Sequence, residues 1–248
     1  MNPNGSNLFL IKVTSRQDYS DQFLRGDLYC NRLGCFRVLE DDKQRGDGYE
    51  ATMVYPPGSI LTLQPTNLLT KEVNVWGIPP EDNADNLALR LDSPKYLNVF
   101  CMYAVDFSDF RKMPNSHTKR TIELPETLWE FGDYAVAIFD VPGFINRVRK
   151  AARSRHYKVW LRRVVYYDPA LGLPDVPLNE SLAFFKRNQF AHQKEFRFAF
   201  NTSTIGTYAI TIGVGDISDI AIPVNRDNID QELSVEIFTN PTLCTHIT

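Results

Sequence analysis

Three side chains able to do chemistry are spaced two apart near the end of the chain: Gln193, Glu195 and Arg197, in the segment HQKEFRFAF. Read as a β-strand over residues 192–200, the period of two puts Phe196, Phe198 and Phe200 on one face and these three on the other. An aromatic stripe facing a core pins that register, because a one-residue slip would bury the charges. The strand then offers an amide, a carboxylate and a guanidinium in a row from a rigid support. The plainer reading is a sheet face with an exposed Glu–Arg pair worth about 0–1 kcal/mol. Two earlier segments could meet this one. Lys12 lies mid-strand in FLIKV, opposite Phe9, Ile11 and Val13, and either snorkels to solvent or points into a pocket to hold an anion. The run RGDGYE supplies Arg45, Asp47, Tyr49 and Glu50 between glycines, as a loop folded over a cleft or as a solvated turn.

These residues need elements to hold them. FLIKV reads as a first strand, followed by a short helix capped by Thr14 or Ser15 in which Tyr19 and Phe23 share a face, with Gly26 as its stop. A second strand over 28–33 would carry Tyr29 and Asn31, and a helical turn over 35–39 would follow. Residues 56–94 are rich in Pro, Asn and Asp and read as an irregular insertion or minor hairpin. Buried strands are expected over 97–105 and 133–141, with a polar loop over 106–121 between them. A helix over about 142–155 follows, then a long strand over 158–167, a short helix over 180–187, the 192–200 strand, and three further strands. Strands dominate and helices are few. The expectation is one α+β domain over 1–248, built on a split or strongly curved, mostly antiparallel or mixed sheet.

Composition narrows the function classes. The chain has 248 residues, 43% hydrophobic and 23% charged, with net charge -3, so no global field draws nucleic acid or an anionic membrane. Eight basic residues fall from Arg147 to Arg163, but helical spacing spreads the first five around the exposed half of a helix, and nucleic-acid binding is not expected. Tyr157 and Trp160 read as strand packing rather than as base-stacking platforms. The opening MNPNGS lacks the basic start and apolar run of a secretory signal, and no apolar stretch is long enough to span a bilayer. Cys30, Cys35, Cys101 and Cys244 form no CxxC pair and no zinc spacing with His117, His156, His192 or His246. A cytoplasmic protein without a metal is the expectation. No P-loop, GxGxxG, HExxH or nucleophile elbow is present.

Three segments in order resemble a large family of uncharacterised bacterial and phage proteins, known as a domain of unknown function. They are FLIKVTS…FLRGDLYCNRLGCFR…RGDGYE, DYAVAIFDV…RRVVYYD and FFKRNQFAHQKEFR. Family members commonly carry Asn-Asp-Pro-Phe-Glu where this chain has Arg45–Glu50, which leaves Asp47 and Glu50 as matches. The layout also resembles the ADP-ribosyltransferase fold, in which an early strand carries Arg or His for NAD, a second strand Ser or Tyr, and a late strand Q/E-x-E. Lys12, Tyr29 or Asn31, and Gln193-Lys194-Glu195 occupy those places here. The resemblance implies an ADP-ribosyltransferase-like protein that binds NAD or a related nucleotide, and the likeness to phage proteins implies a phage–host setting. Glu195 and Gln193 would be its catalytic residues, and Lys12, Tyr29, Asn31, Arg45, Asp47, Glu50 and Arg197 would bind the ligand. The alternative is a non-catalytic module that binds a nucleotide signal or a protein partner.

Overall fold

The computed structural model describes residues 9–37, 48–58, 61–63, 76–78, 87–90, 93–112, 119–172, 179–206, 208–229 and 233–236. Its centre is an eight-stranded sheet. The strands of that sheet are β1 (Phe9–Thr14), β2 (Asp27–Arg32), β3 (Asn98–Val105), β4 (Tyr134–Ile138), β5 (Lys158–Arg163), β6 (Glu195–Asn201), β7 (Ile210–Gly213) and β8 (Ala221–Asn225). The main path runs β5-β6-β3-β1-β4-β8, with β2 pairing both β3 and β7. Every pairing in it is antiparallel. This is the expected α+β architecture with few short helices: α1 (Gln17–Leu24), α2 (Glu126–Trp129) and α3 (Val141–Ser154).

Both faces of the sheet are covered. On one side α1 and α3 pack against Phe196, Phe198 and Phe200, and all three phenylalanines are buried. In α3 the buried positions Val141, Phe144, Val148 and Ala152 recur at helical spacing. The Asp140 side chain caps its first turn by accepting from the Gly143 N–H at 2.9 Å, and Pro142 sits where a missing N–H costs nothing. On the other side lie α2 and a 3-10 segment, Asn179–Phe184, that brings Leu182 and Phe184 against Val99 and Ala199. A central strand covered twice has no polar face to spare, and β3 is buried along nearly its whole length.

The sheet is split along one edge of β3. One edge of β3 pairs with β6 from Asn98 to Tyr103. On the opposite edge, β1 pairs with Tyr103, Ala104 and Val105, whereas β2 pairs with Asn98 and Val99. The two ladders stop short of each other, so β1 and β2 splay apart around Phe100–Met102, and α1 joins them across the gap. Gly26 lets the chain leave α1: its φ is 89°, and a Cβ there would fall 1.9 Å from the Gly215 carbonyl oxygen.

Several local expectations are corrected. The Arg16 position caps α1, with no side-chain cap bond, in place of Thr14 or Ser15. The 3-10 turn after β2 spans Leu33–Arg37. The polar loop over 106–121 contains two short paired strands, Phe110–Lys112 and Lys119–Ile122. Residues 158–167 are not one strand: β5 ends at Arg163, and Val165–Tyr167 pairs in parallel with Phe185–Arg187 in a separate two-stranded sheet. Within 56–94 the described strands pair Leu61–Leu63 with Trp76–Ile78, while Leu87–Arg90 pairs with Thr52–Tyr55. Among the described residues, no helix is long and apolar enough to cross a membrane.

Candidate functional site

The split opens into a cleft of about 700 Å³. From one side it is lined by Lys12 of β1 and by Tyr29 and Asn31 of β2; from the other by Glu50, Gln193, Glu195 and Arg197. Seven of the nine residues singled out from the sequence thus share one cavity. The other two, Arg45 and Asp47, lie outside the described residues.

Gln193 reaches the cleft by a different route from the one expected. Lys194 adopts a left-handed backbone (φ 37°), which ends the 3-10 segment Asn188–Gln193 and starts β6 at Glu195. Gln193 is therefore not a strand neighbour of Glu195. The two side chains meet instead on Lys186, whose ammonium donates to Gln193 Oε1 at 2.6 Å and to Glu195 Oε1 at 2.8 Å. Lys186 is 5% exposed and lies 4.6 Å from the centroid of Phe190.

Glu195 is held from both sides. Its second oxygen, Oε2, accepts from Arg197 Nε at 3.2 Å and Nη2 at 2.8 Å. Arg197 also donates through Nη1 to Glu50 Oε1 at 2.7 Å and to the Ala183 carbonyl. The result is a buried chain of alternating charge, Lys186–Glu195–Arg197–Glu50, in which Glu50 is 1% and Arg197 2% exposed. The exposed Glu–Arg pair of the plainer reading is excluded. Burial alone would push the Glu195 carboxyl upward, but Arg197 and Lys186 outweigh it and hold the group well below the ordinary carboxylate range. Arg197 and Lys186 are displaced the other way: burial disfavours their charge, and Glu195 and Glu50 more than restore it. The Glu195 backbone N–H donates to the Tyr166 hydroxyl at 2.9 Å. Burial pushes the pKa of that hydroxyl up, and the Glu195 charge adds to it.

Lys12 enters from the opposite face. Ile11 pairs with Tyr103 and Tyr103 with Glu195, so these three share a face and Lys12, one residue on, projects to the other. It reaches the cleft through the split, donating to the Cys101 carbonyl at 3.0 Å with its ammonium 4.8 Å from the Phe100 centroid. The Cys101 thiol beside it is pushed up to about 12 by burial first and the Glu195 charge second, which leaves it inert as a nucleophile near neutrality. On the outer wall Tyr29 is 64% exposed, and the Asn31 side-chain oxygen accepts from the Arg32 N–H at 2.8 Å. Tyr49 stacks under the Arg187 guanidinium, 4.6 Å from its centroid.

Two residues essential to this geometry had no assigned role in the sequence: Lys186 and Tyr166. Both sat inside motifs that resemblance drew attention to, FFK and VVYY, but each reaches Glu195 only because the small parallel sheet carries it there. The basic segment divides. Arg147 pairs with Asp219 and Arg163 with Asp106, whereas Arg149, Arg153 and Lys158 line a separate groove of about 340 Å³ beside Tyr157 and Trp160. Among the described residues, no group of three or more His, Cys, Asp or Glu is placed to hold a metal. Compared with models of protein families, with curated proteins and with solved structures, the chain matches none.

Proposed function

We propose that the protein is an ADP-ribosyltransferase-like module that binds a nucleotide such as NAD in the split of its sheet, and binds it without turning it over. The cleft volume of about 700 Å³ is of the size that encloses small-molecule ligands, roughly 300–1,000 Å³. Tyr19, Tyr29 and Phe131 offer π-faces for a base, Asn31 and Gln193 offer amides, and Lys12 offers a cation for phosphate. A phage–host setting rests on the family resemblance.

The observation that favours binding over catalysis is the engagement of Glu195. A carboxylate that stabilises an oxocarbenium-like ribose must turn its charge toward the developing cation. Here Lys186 takes one oxygen and Arg197 the other, and the two cations already balance the charge. The second reading, a transferase, is favoured by Gln193 and Glu195 opening onto the same cavity. It requires Lys186 or Arg197 to release Glu195 once ligand is bound.

Thermal unfolding with NAD, ADP-ribose and cyclic nucleotides tests the proposal. At 100 times the dissociation constant a true ligand adds about 2.7 kcal/mol of stability. Lys12→Ala is expected to weaken that response, and nicotinamide release from NAD by wild type is expected to be nil. Release that disappears in Glu195→Gln would replace binding by transfer. No response to any nucleotide would refute both.

A further inference from the structure

We propose that the free edge of β5 and the basic groove beside it take up an extended acidic segment of a partner protein as an added strand. β5 ends the main path of the sheet, and among the described residues only its β6 edge is paired. The Val164 N–H donates to the Glu195 carbonyl at 2.8 Å. Antiparallel bonding alternates along a strand, so Arg162, Trp160 and Lys158 turn their backbone groups toward β6, and Val159 and Leu161 turn theirs outward. The opposite end of the path is closed. There the Phe139 N–H donates to the Ile220 carbonyl and the Arg226 N–H to the Asp133 carbonyl. By the same alternation Pro223 of β8 points outward, where it has no N–H to offer. β5 carries no proline.

The groove of about 340 Å³ is lined by Tyr157, Lys158, Val159 and Trp160 together with Arg149 and Arg153 of α3. Val159 lies opposite Phe200 and faces α3, whereas Trp160 lies opposite Ala199 and faces away. Residues from both faces of one strand meet a single groove where it follows the strand's edge, and the other edge of β5 is occupied by β6. Arg149, Arg153 and Lys158 are exposed, and among the described residues none of the three is ion-paired and no carboxylate lines the groove. Their neighbours Arg147, Arg155 and Arg163 are engaged by Asp219, the Thr211 carbonyl and Asp106. Arg149 and Arg153 stand one helical turn apart, about 5–6 Å between Cβ atoms, close to the roughly 7 Å between alternate side chains of a strand. The complement is a strand with carboxylates at alternate positions. Its backbone meets that of Val159 and Leu161, and its acidic face meets the arginines. A second copy of β5 would bring like charges together. Phosphates would supply acceptors for the cations and N–H groups but no donor for the two outward carbonyls.

The test is fluorescence anisotropy of a labelled peptide, Val-Glu-Val-Glu-Val-Glu-Val, titrated with the full chain at near-physiological ionic strength. Wild type is expected to bind it, and to bind both the same peptide with Lys for Glu and a version N-methylated along its backbone at least tenfold more weakly (about 1.4 kcal/mol). Arg149→Gln combined with Arg153→Gln, both on an exposed helix face, is expected to weaken the acidic peptide at least tenfold. Val159→Pro gives this edge the block that Pro223 gives the other and is expected to do the same. Should that variant fail to fold, the N-methylated peptide makes the measurement from the ligand side. No binding of the acidic peptide at about 1 mM, or equal binding by the double arginine variant, would overturn the site. Undiminished binding of the N-methylated peptide would overturn strand addition. Tighter binding of a single-stranded DNA oligonucleotide of similar length would overturn the choice of a protein partner.

Discussion

Replacing Arg197 by Met takes one cation from between two buried carboxylates, and the structure says which of them suffers. Glu195 keeps Lys186 at 2.8 Å. Glu50, 1% exposed, loses the guanidinium that it meets at 2.7 Å and becomes an uncompensated charge in the interior. Breaking a buried pair in this way costs about 3–5 kcal/mol. The Ala183 carbonyl also loses its donor, adding about 1 kcal/mol or more. If Glu50 is the source of the larger cost, Arg197→Met combined with Glu50→Gln must recover a good part of it, because a neutral amide is far easier to bury than a bare carboxylate. The double-mutant cycle should then give a coupling of about 2–3 kcal/mol between the two positions. Equilibrium urea unfolding followed by tryptophan fluorescence measures each corner of the cycle. An Arg197→Met variant within about 1 kcal/mol of wild type, or a double variant no more stable than the single, would refute the claim that this network is buried and charged.

Phe198→Ala should cost about 3–5 kcal/mol, since the ring is fully buried and meets Phe144 and Phe196 edge-on at 5.6 and 5.3 Å; a loss below about 1 kcal/mol in the same urea assay would contradict the packing. The Glu195 carboxyl is depressed below its ordinary value of 4.5, so its contribution is complete above that pH and is lost as the pH falls through the lower, folded value. The stability difference between wild type and Glu195→Gln should therefore be flat from about pH 6 to 9 and shrink under acid conditions below the unfolded value. A difference that shrinks on going alkaline toward pH 9 would mean that the charge is not what holds Glu195 in place.

The key strand was legible because alternation is a property of sequence: Phe196, Phe198 and Phe200 had to share a face, and Glu195 and Arg197 the other. What alternation does not reveal is whether a charged face meets water or a second layer. The pattern E-x-R is the same in both cases, and only the arrival of Ala183, Lys186 and Glu50 from distant segments decides it. The extent of the strand was misread for a local reason. Nothing in His192–Gln193–Lys194 requires a left-handed residue, and Lys194 adopts one to close a 3-10 turn. Residues 158–167 misled in a similar way, as a run rich in β-branched and aromatic residues with no Gly or Pro to break it, which crosses from one sheet to another at Val164, whose N–H still bonds the Glu195 carbonyl. Lys12 was placed on its correct face, but that its face and that of Glu195 open onto one cavity depends on where two ladders end on β3, a property of three strands together.

The splaying of β1 from β2 makes α1 a calliper. The two jaws are consecutive in the chain and joined only by this helix and its short flanking turns, so its eight residues, about 12 Å of rise, set how far apart the jaws can stand. The helix is itself fastened at its far end, where the Leu24 carbonyl accepts from the Ile217 N–H. The aperture is thus bounded by the covalent length of chain between β1 and β2 as well as by where their two ladders end on β3. Adding or removing a helical turn between Thr14 and Asp27 is expected to change the width of the cleft while leaving Glu195, Arg197, Lys186 and Glu50 where they are, so cleft width and side-chain chemistry are set by separate segments.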